Sequence, residues 1–296
     1  MAILTAFLQN VISGLAVGSL YALLAVGIVL IYKSSEVLNF AHGTFAMLAT
    51  FVAYQLSTRM GLGFAASIAC AIGFAFVLGS LVYGAMLDRA RQGGAHAVVM
   101  VTIGFSIVLE GAAGVIFGAD TKEFHHVFAE STSISLPAGL VISSHDAWII
   151  GIAVAMVALL ALFFHATRIG IALRAVSQNE TAAKLMGVRV GRVHALTWGI
   201  AASLAATAGI LIVPKVFLDP SMMFAPLLKA FAAAVLGGMN SVAGAIVGAW
   251  LLGIIETMAG AYGSTEFQAS IAFLIIVLVL SVRPQGLLGR PEVKKV

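Results

Sequence analysis

The chain has 296 residues, 61% of them apolar and 9% charged, a net charge of +4 and a mean hydropathy of +1.09. Soluble domains carry about 25% charged residues, so a water-soluble fold is excluded. The apolar runs are continuous and lack the two-residue alternation of a transmembrane barrel. Lys and Arg gather where these runs end, so the positive charge reads as a topology signal and not as a nucleic-acid face.

A helical span needs about 20 apolar residues. Residues 2–32 contain no charged side chain. That stretch exceeds a secretory core of about 7–15 residues and predicts a first span over 7–32 in place of a cleaved signal. Further runs fall at 40–56, 62–87, 97–117, 147–165, 193–213, 230–258 and 269–282. The expected fold is an all-α polytopic membrane protein, one transmembrane domain over 1–296. Cys70 is the single cysteine and lies inside an apolar run, which leaves no disulfide framework.

The most polar insertion is 167–192, with Arg168, Arg174, Lys184, Arg189 and Arg192 against one acid, Glu180. Basic loops stay cytoplasmic. Leu173, Val176, Thr181, Lys184, Leu185 and Val188 recur mostly at three- and four-residue spacings, which predicts a short amphipathic helix that a partner protein can grip. With this loop inside, alternation places Lys33, Arg89 and Arg91 inside and the N-terminus outside.

The tail carries Arg283, Arg290, Lys294 and Lys295, and keeping it inside requires an even number of crossings after Arg192. Run 230–258, at 29 residues, is too long for one span and is broken by Gly237-Gly238-Met239-Asn240-Ser241. Counting two segments there gives nine crossings, against eight by plain hydropathy. Twelve of the 16 Lys and Arg residues then lie inside, and only Arg59, Lys122, Lys215 and Lys229 outside.

A second break, Asn39-Phe40-Ala41-His42-Gly43, opens the second span. Discontinuous helices are the usual sequence pointer to a transport pathway. The expected path residues are therefore Asn39, Phe40, His42, Gly43, Gly238, Asn240 and Ser241, although helix caps would also explain both breaks. Glu110 is the acid well inside a predicted span, 13 residues past the cytoplasmic edge. At 1.5 Å per residue this is roughly 20 Å deep, so it is expected near the outer end of the path or at a subunit interface. The outer loop 118–146 is acidic and reads as a receptor-docking surface or a solvated connector. Its His125 and His126 with Glu123 read as solvated in preference to metal-binding.

No phosphate-binding loop, HExxH, CxxC, G-x-S-x-G or paired carboxylates occur. No cofactor, metal or catalytic residue is expected. The sequon Asn179-Glu180-Thr181 falls in the loop read as cytosolic.

Four separated stretches resemble one family. GSLYALLAVGIVLIYKSSEVLNFAHGTFAML (18–48) is similar to the opening of LivH-type permeases, membrane subunits of bacterial branched-chain amino acid ABC importers. LRAVSQNETAAKLMGV (173–188) resembles their cytoplasmic coupling segment, and LGGMNSVAGAIVGAWLLGIIE (236–256) and RPQGLLG (283–289) resemble their C-terminal signatures. The segment departs from the general importer motif of Glu-Ala-Ala, three residues, Gly: here Glu180 is followed by Thr181, Ala182 and Ala183, with Gly187 beyond.

The resemblance implies a single permease domain in the bacterial inner membrane, with a cytoplasmic C-terminus. It further implies a paralogous permease partner, two cytoplasmic ATPase subunits that grip Glu180, Ala182, Ala183, Leu185 and Gly187, and an external solute-binding protein. Substrates implied are branched-chain or related amino acids, alternatively urea, amides or another small carboxylate. An ion-coupled secondary transporter using Glu110 and a purely structural membrane subunit are the competing readings.

Overall fold

In a computed structural model the described residues are 2–124, 133–136, 140–283 and 285–289. Helix α1 (Ala2–Ser35) is followed by α2 (His42–Tyr54), which a π-helical turn at Gln55–Arg59 extends. Helix α3 (Phe64–Val82) continues through a second π-helical turn at Tyr83–Leu87 into the short α4 (Asp88–Ala90) and a 3-10 turn at Arg91–Gly93. Then come α5 (Ala95–Phe117), a hairpin of β1 (Ser133–Leu136) and β2 (Leu140–Ser143), and α6 (Ser144–Ala166). Two short helices follow, α7 (Arg168–Gln178) and α8 (Glu180–Leu185). The chain continues with α9 (Val190–Val216), α10 (Phe224–Gly237), α11 (Val242–Tyr262) and α12 (Thr265–Val282).

Among the described residues six helices are long and apolar enough to cross a membrane, and Phe224–Gly237 is a shorter apolar one. The hairpin within residues 118–146 is the departure from the all-helical expectation. It is antiparallel, with Ser133 opposite Ser143 and Leu136 opposite Leu140.

The chain divides into two compact units. One combines Leu30–His125 with Ala155–Leu227. Its centre is α9, most of which is buried, flanked by α2 and α3. Small residues set these spacings: a Cβ on Gly79 would lie 2.7 Å from the Trp198 carbonyl oxygen, and one on Gly199 would lie 2.8 Å from that of Phe76. Backbones this close gain dispersion contacts that larger side chains would forbid. By contrast α5 presents Ile107, Val108, Val115 and Ile116 uncovered within the chain. A bilayer or a second protein can solvate that face, whereas water would not.

The other unit combines Met1–Val29, His126–Val154 and Leu228–Val296. Here α1 crosses α11 at glycine contacts, where a Cβ on Gly18 would meet the Ala249 carbonyl oxygen at 2.7 Å. Helices α10 and α11 form a tight antiparallel pair, with Gly237 against Gly244 and Ala233 against Gly248. The 29-residue apolar run is thus a helical hairpin turning at 238–241, as its length and its break suggest.

Overfilling a packed contact costs about 1–3 kcal/mol, while Gly to Ala in an open helix gains up to about 1 kcal/mol. Gly18→Ala should therefore lower the Tm of the detergent-solubilised protein. Gly104→Ala, where a Cβ meets nothing within 4 Å, should raise it or leave it unchanged. Equal responses in a thermal-shift measurement would contradict this packing.

Candidate functional site

The first break is enclosed. After α1 the chain turns through Glu36, which has a positive φ of 56°, and Asn39 and His42 are fully buried. Asn39 Oδ1 accepts the Ala41 amide at 3.0 Å, and the Phe40 amide reaches Thr102 Oγ1 at 3.4 Å. Asn39 Nδ2 has no partner among the described residues. Gly43 admits Met223 and Leu227, whose side-chain atoms would stand 3.2–3.3 Å from a Cβ there. Asn39, His42 and Gly43 are therefore buried within their unit, and Phe40 is half-buried.

The second break is closed by the C-terminal segment. A helix end leaves its last carbonyls without intrahelical donors. At α10 the Leu236 and Gly237 oxygens accept the amides of Leu287 and Leu288 at 2.8 and 3.0 Å. Gly238 has φ of +110° and a Cβ there would lie 2.7 Å from the Gly289 backbone, so a side chain fits neither the backbone nor the space. Ser241 caps α11, its hydroxyl accepting the Gly244 amide at 3.0 Å. Asn240 lies in the turn between them.

This unit also holds a buried charge pair that the sequence does not announce. Lys229 on α10 bonds Glu256 on α11, and Glu256 is only 3% exposed. Tyr21 of α1 donates to Glu256 Oε2 at 3.0 Å, and the Lys229 ammonium stands 5.7 Å from the Tyr21 ring centroid. Glu110 is thus not the sole intramembrane acid. Its own side chain is half-buried on α5 with no hydrogen-bond or ion-pair partner among the described residues. Lys229 reads as a loop charge and Glu256 as the end of a run, and 27 residues separate them; no local spacing rule would have joined them.

The basic segment is two helices where one was expected. Thr167 caps α7 by accepting the Gly170 amide at 3.0 Å, and Asn179, in extended conformation, caps α8 by accepting the Ala182 amide at 2.9 Å. Local side-chain bonding of this kind competes with a continuous helix. Leu173, Val176 and Ala183 face inward to a small cluster with Val190 and Val193. Gly187, at φ of +85°, ends α8 in the left-handed conformation usual for a helix C-terminus. Ala182 is exposed, and Leu185 and Met186 project at 84% and 85% exposure.

Glu180 turns back to its own chain. Its Oε2 accepts Arg91 Nη2 at 2.7 Å and lies 3.6 Å from His194 Nε2. Partial burial on its own would raise the Glu180 carboxyl; the Arg91 hydrogen bond and charge, with His194, hold it below the ordinary carboxylate range. The pair therefore persists at neutral pH and is lost only as pH falls below the usual Glu range of about 4.3. No cluster of three metal-ligating side chains occurs among the described residues. His125 and His126, like Arg290, Lys294 and Lys295 of the tail, lie outside the described residues.

Long apolar helices interrupted by buried polar breaks define a polytopic membrane protein. Residues 10–280 match the family described as branched-chain amino acid transport system / permease component. The chain is 35% identical to the high-affinity branched-chain amino acid transport system permease protein LivH of Salmonella typhimurium, over 98% of both chains. It has the same identity and coverage with the BraD protein of Pseudomonas aeruginosa, which carries the same description. It is 25% identical to the ribose import permease protein RbsC of Escherichia coli, over 92% of this chain and 84% of that one. No solved structure matches. The chain belongs to the branched-chain amino acid transport system permease family.

Removing one partner of a buried pair strands the other charge and costs about 3–5 kcal/mol, whereas replacing both with apolar residues is often neutral. Glu256→Leu alone should sharply reduce folded yield and Tm, and the double variant Lys229→Met with Glu256→Leu should recover most of both. Size-exclusion recovery and thermal unfolding in detergent measure the two quantities.

Proposed function

We propose that the chain is the membrane-spanning permease subunit of a binding-protein-dependent ABC importer for branched-chain or related amino acids. The observation that carries this reading is the exposed Leu185–Met186 tip on a braced helix pair. Two large apolar side chains held in solvent cost free energy unless a partner covers them. Ala182, Gly187 and the flanking Lys184 and Arg189 give that partner a small-residue seat with a basic rim, and Ala183 supports it from below. The partner is a cytoplasmic ATPase subunit, which supplies the ATP site missing from this sequence. A paralogous permease covers the open face of α5, bringing Glu110 to the subunit interface. An external binding protein delivers the substrate.

The path is lined or supported by the breaks: Asn39, Phe40, His42 and Gly43 in one unit, and Gly238, Asn240 and Ser241 in the other. Non-helical backbone at membrane depth is tolerated where protein or a watery cavity meets it, and the buried setting of Asn39 supports that role. Whole-chain topology follows as nine crossings of the bacterial inner membrane, N-terminus outside and tail cytoplasmic. The α10–α11 hairpin, whose turn packs against residues 285–289, supports the even count after α9.

Leu185→Asp with Met186→Asp should weaken capture of the ATPase about 30-fold or more, the loss of a hot spot worth at least about 2 kcal/mol, while membrane insertion is unchanged. Undiminished co-purification and uptake would refute the assignment. Topology is checked in a Cys70→Ala background, since Cys70 is exposed. Ser135→Cys should react with an impermeant maleimide in intact cells, and Gln178→Cys and Gln285→Cys should not. Labelling at 285 would return the count to eight.

A further inference from the structure

Arg91 sits just beyond the π-helical turn that ends α3, and its two terminal nitrogens serve different partners. Nη2 donates to Glu180 Oε2 at 2.7 Å, and Nη1 donates to the Tyr83 hydroxyl at 3.1 Å. Tyr83 is buried, its ring centroid 5.4 Å from that of His194 and 5.9 Å from that of Trp198, both on α9. His194 is itself fully buried and faces Glu180. One guanidinium therefore joins the first residue of α8, the end of α3 and, through Tyr83, the start of α9. Contact between α3 and α9 leaves no room for side chains at Gly79 or Gly199, so these two helices pack as one closely fitted pair. Apart from this link α8 is held by the approach of His194 to Glu180, its short connections and the small cluster around Ala183.

We propose that Arg91 is a positioning residue that locks the α8 coupling helix to the α3–α9 pair, so that displacement of α8 by a cytoplasmic partner is carried into the membrane helices. The proposal rests on the coupling role given to α8 above and assigns Glu180 to internal transmission, where the resemblance had placed it at the ATPase contact. Arg91 is 26% and Glu180 43% exposed, and an ion pair with that much solvent contributes little to stability. Its value is geometric. A planar guanidinium can hold Glu180 and Tyr83 in fixed directions at once, which the single point charge of Lys does not reproduce.

The test uses the complete importer in proteoliposomes, with three readouts: ATPase subunits retained, ATP hydrolysed, and substrate taken up. Arg91→Ala should leave the retained ATPase and the Tm unchanged and reduce uptake per ATP hydrolysed roughly tenfold, within the range of typical inter-site coupling. Arg91→Lys should fall between Ala and the native residue. The reversal Arg91→Glu with Glu180→Arg should recover uptake well above either single change. Unchanged uptake per ATP in Arg91→Ala overturns the proposal, as does a reversal no better than its single changes. Loss of assembly or Tm in parallel with transport overturns it too, because the residue is then structural. Failure of the ATPase proposal itself is seen separately, as undiminished ATPase capture by the Leu185→Asp, Met186→Asp variant.

Discussion

A backbone amide or carbonyl that leaves a helix within a bilayer has no water to turn to. At both breaks in this chain, protein groups supply hydrogen-bond partners. At 238–241 the partners come from the far end of the sequence: the amides of Leu287 and Leu288 close the Leu236 and Gly237 carbonyls. At 39–43 they come from nearby and from α5, through Asn39 and Thr102. Each break is thus a packed structural element. Leu287 and Leu288 of the C-terminal segment contribute the cap of a helix that ended some fifty residues earlier.

Glycine and alanine enforce the same constraint between helices. Lipid tails are as apolar as leucine, so helices gain little from burying apolar surface against each other and associate through close contact. The α10–α11 pair, the α1–α11 crossing and the α3–α9 contact all depend on small residues. Among the described residues, the α5 glycines Gly104, Gly111 and Gly114 make no such contact, and the helix leaves an apolar face open, as expected of an element whose neighbour is lipid or another subunit.

Two ion pairs show how surroundings decide what a charge does. Lys229 and Glu256 are enclosed by helices, with Tyr21 bonding the carboxylate; desolvation makes each partner indispensable to the other. Arg91 and Glu180 meet at a solvated edge, where water weakens their attraction. The first pair holds α10 and α11 together. The second fixes the direction of Glu180, the first residue of α8, against the end of α3.

The sequence alone determined the membrane class, the helices and the places where they stop, because apolar length and polar interruption are local properties. It also located the basic segment, which folds as α7 and α8; of the residues spaced as one face, Leu173 and Val176 turn inward whereas Thr181, Lys184 and Leu185 are exposed, because the Asn179 cap splits the helix. Which polar residues meet was decided only by the tertiary structure. Glu256 finds Lys229 and Tyr21, Glu180 finds Arg91 and His194, and Leu236 finds Leu287, across separations that no helical period spans. A local pattern records which side of a helix is apolar, whereas the cost of a buried charge or an orphaned carbonyl is removed by whichever distant group the packing brings within reach.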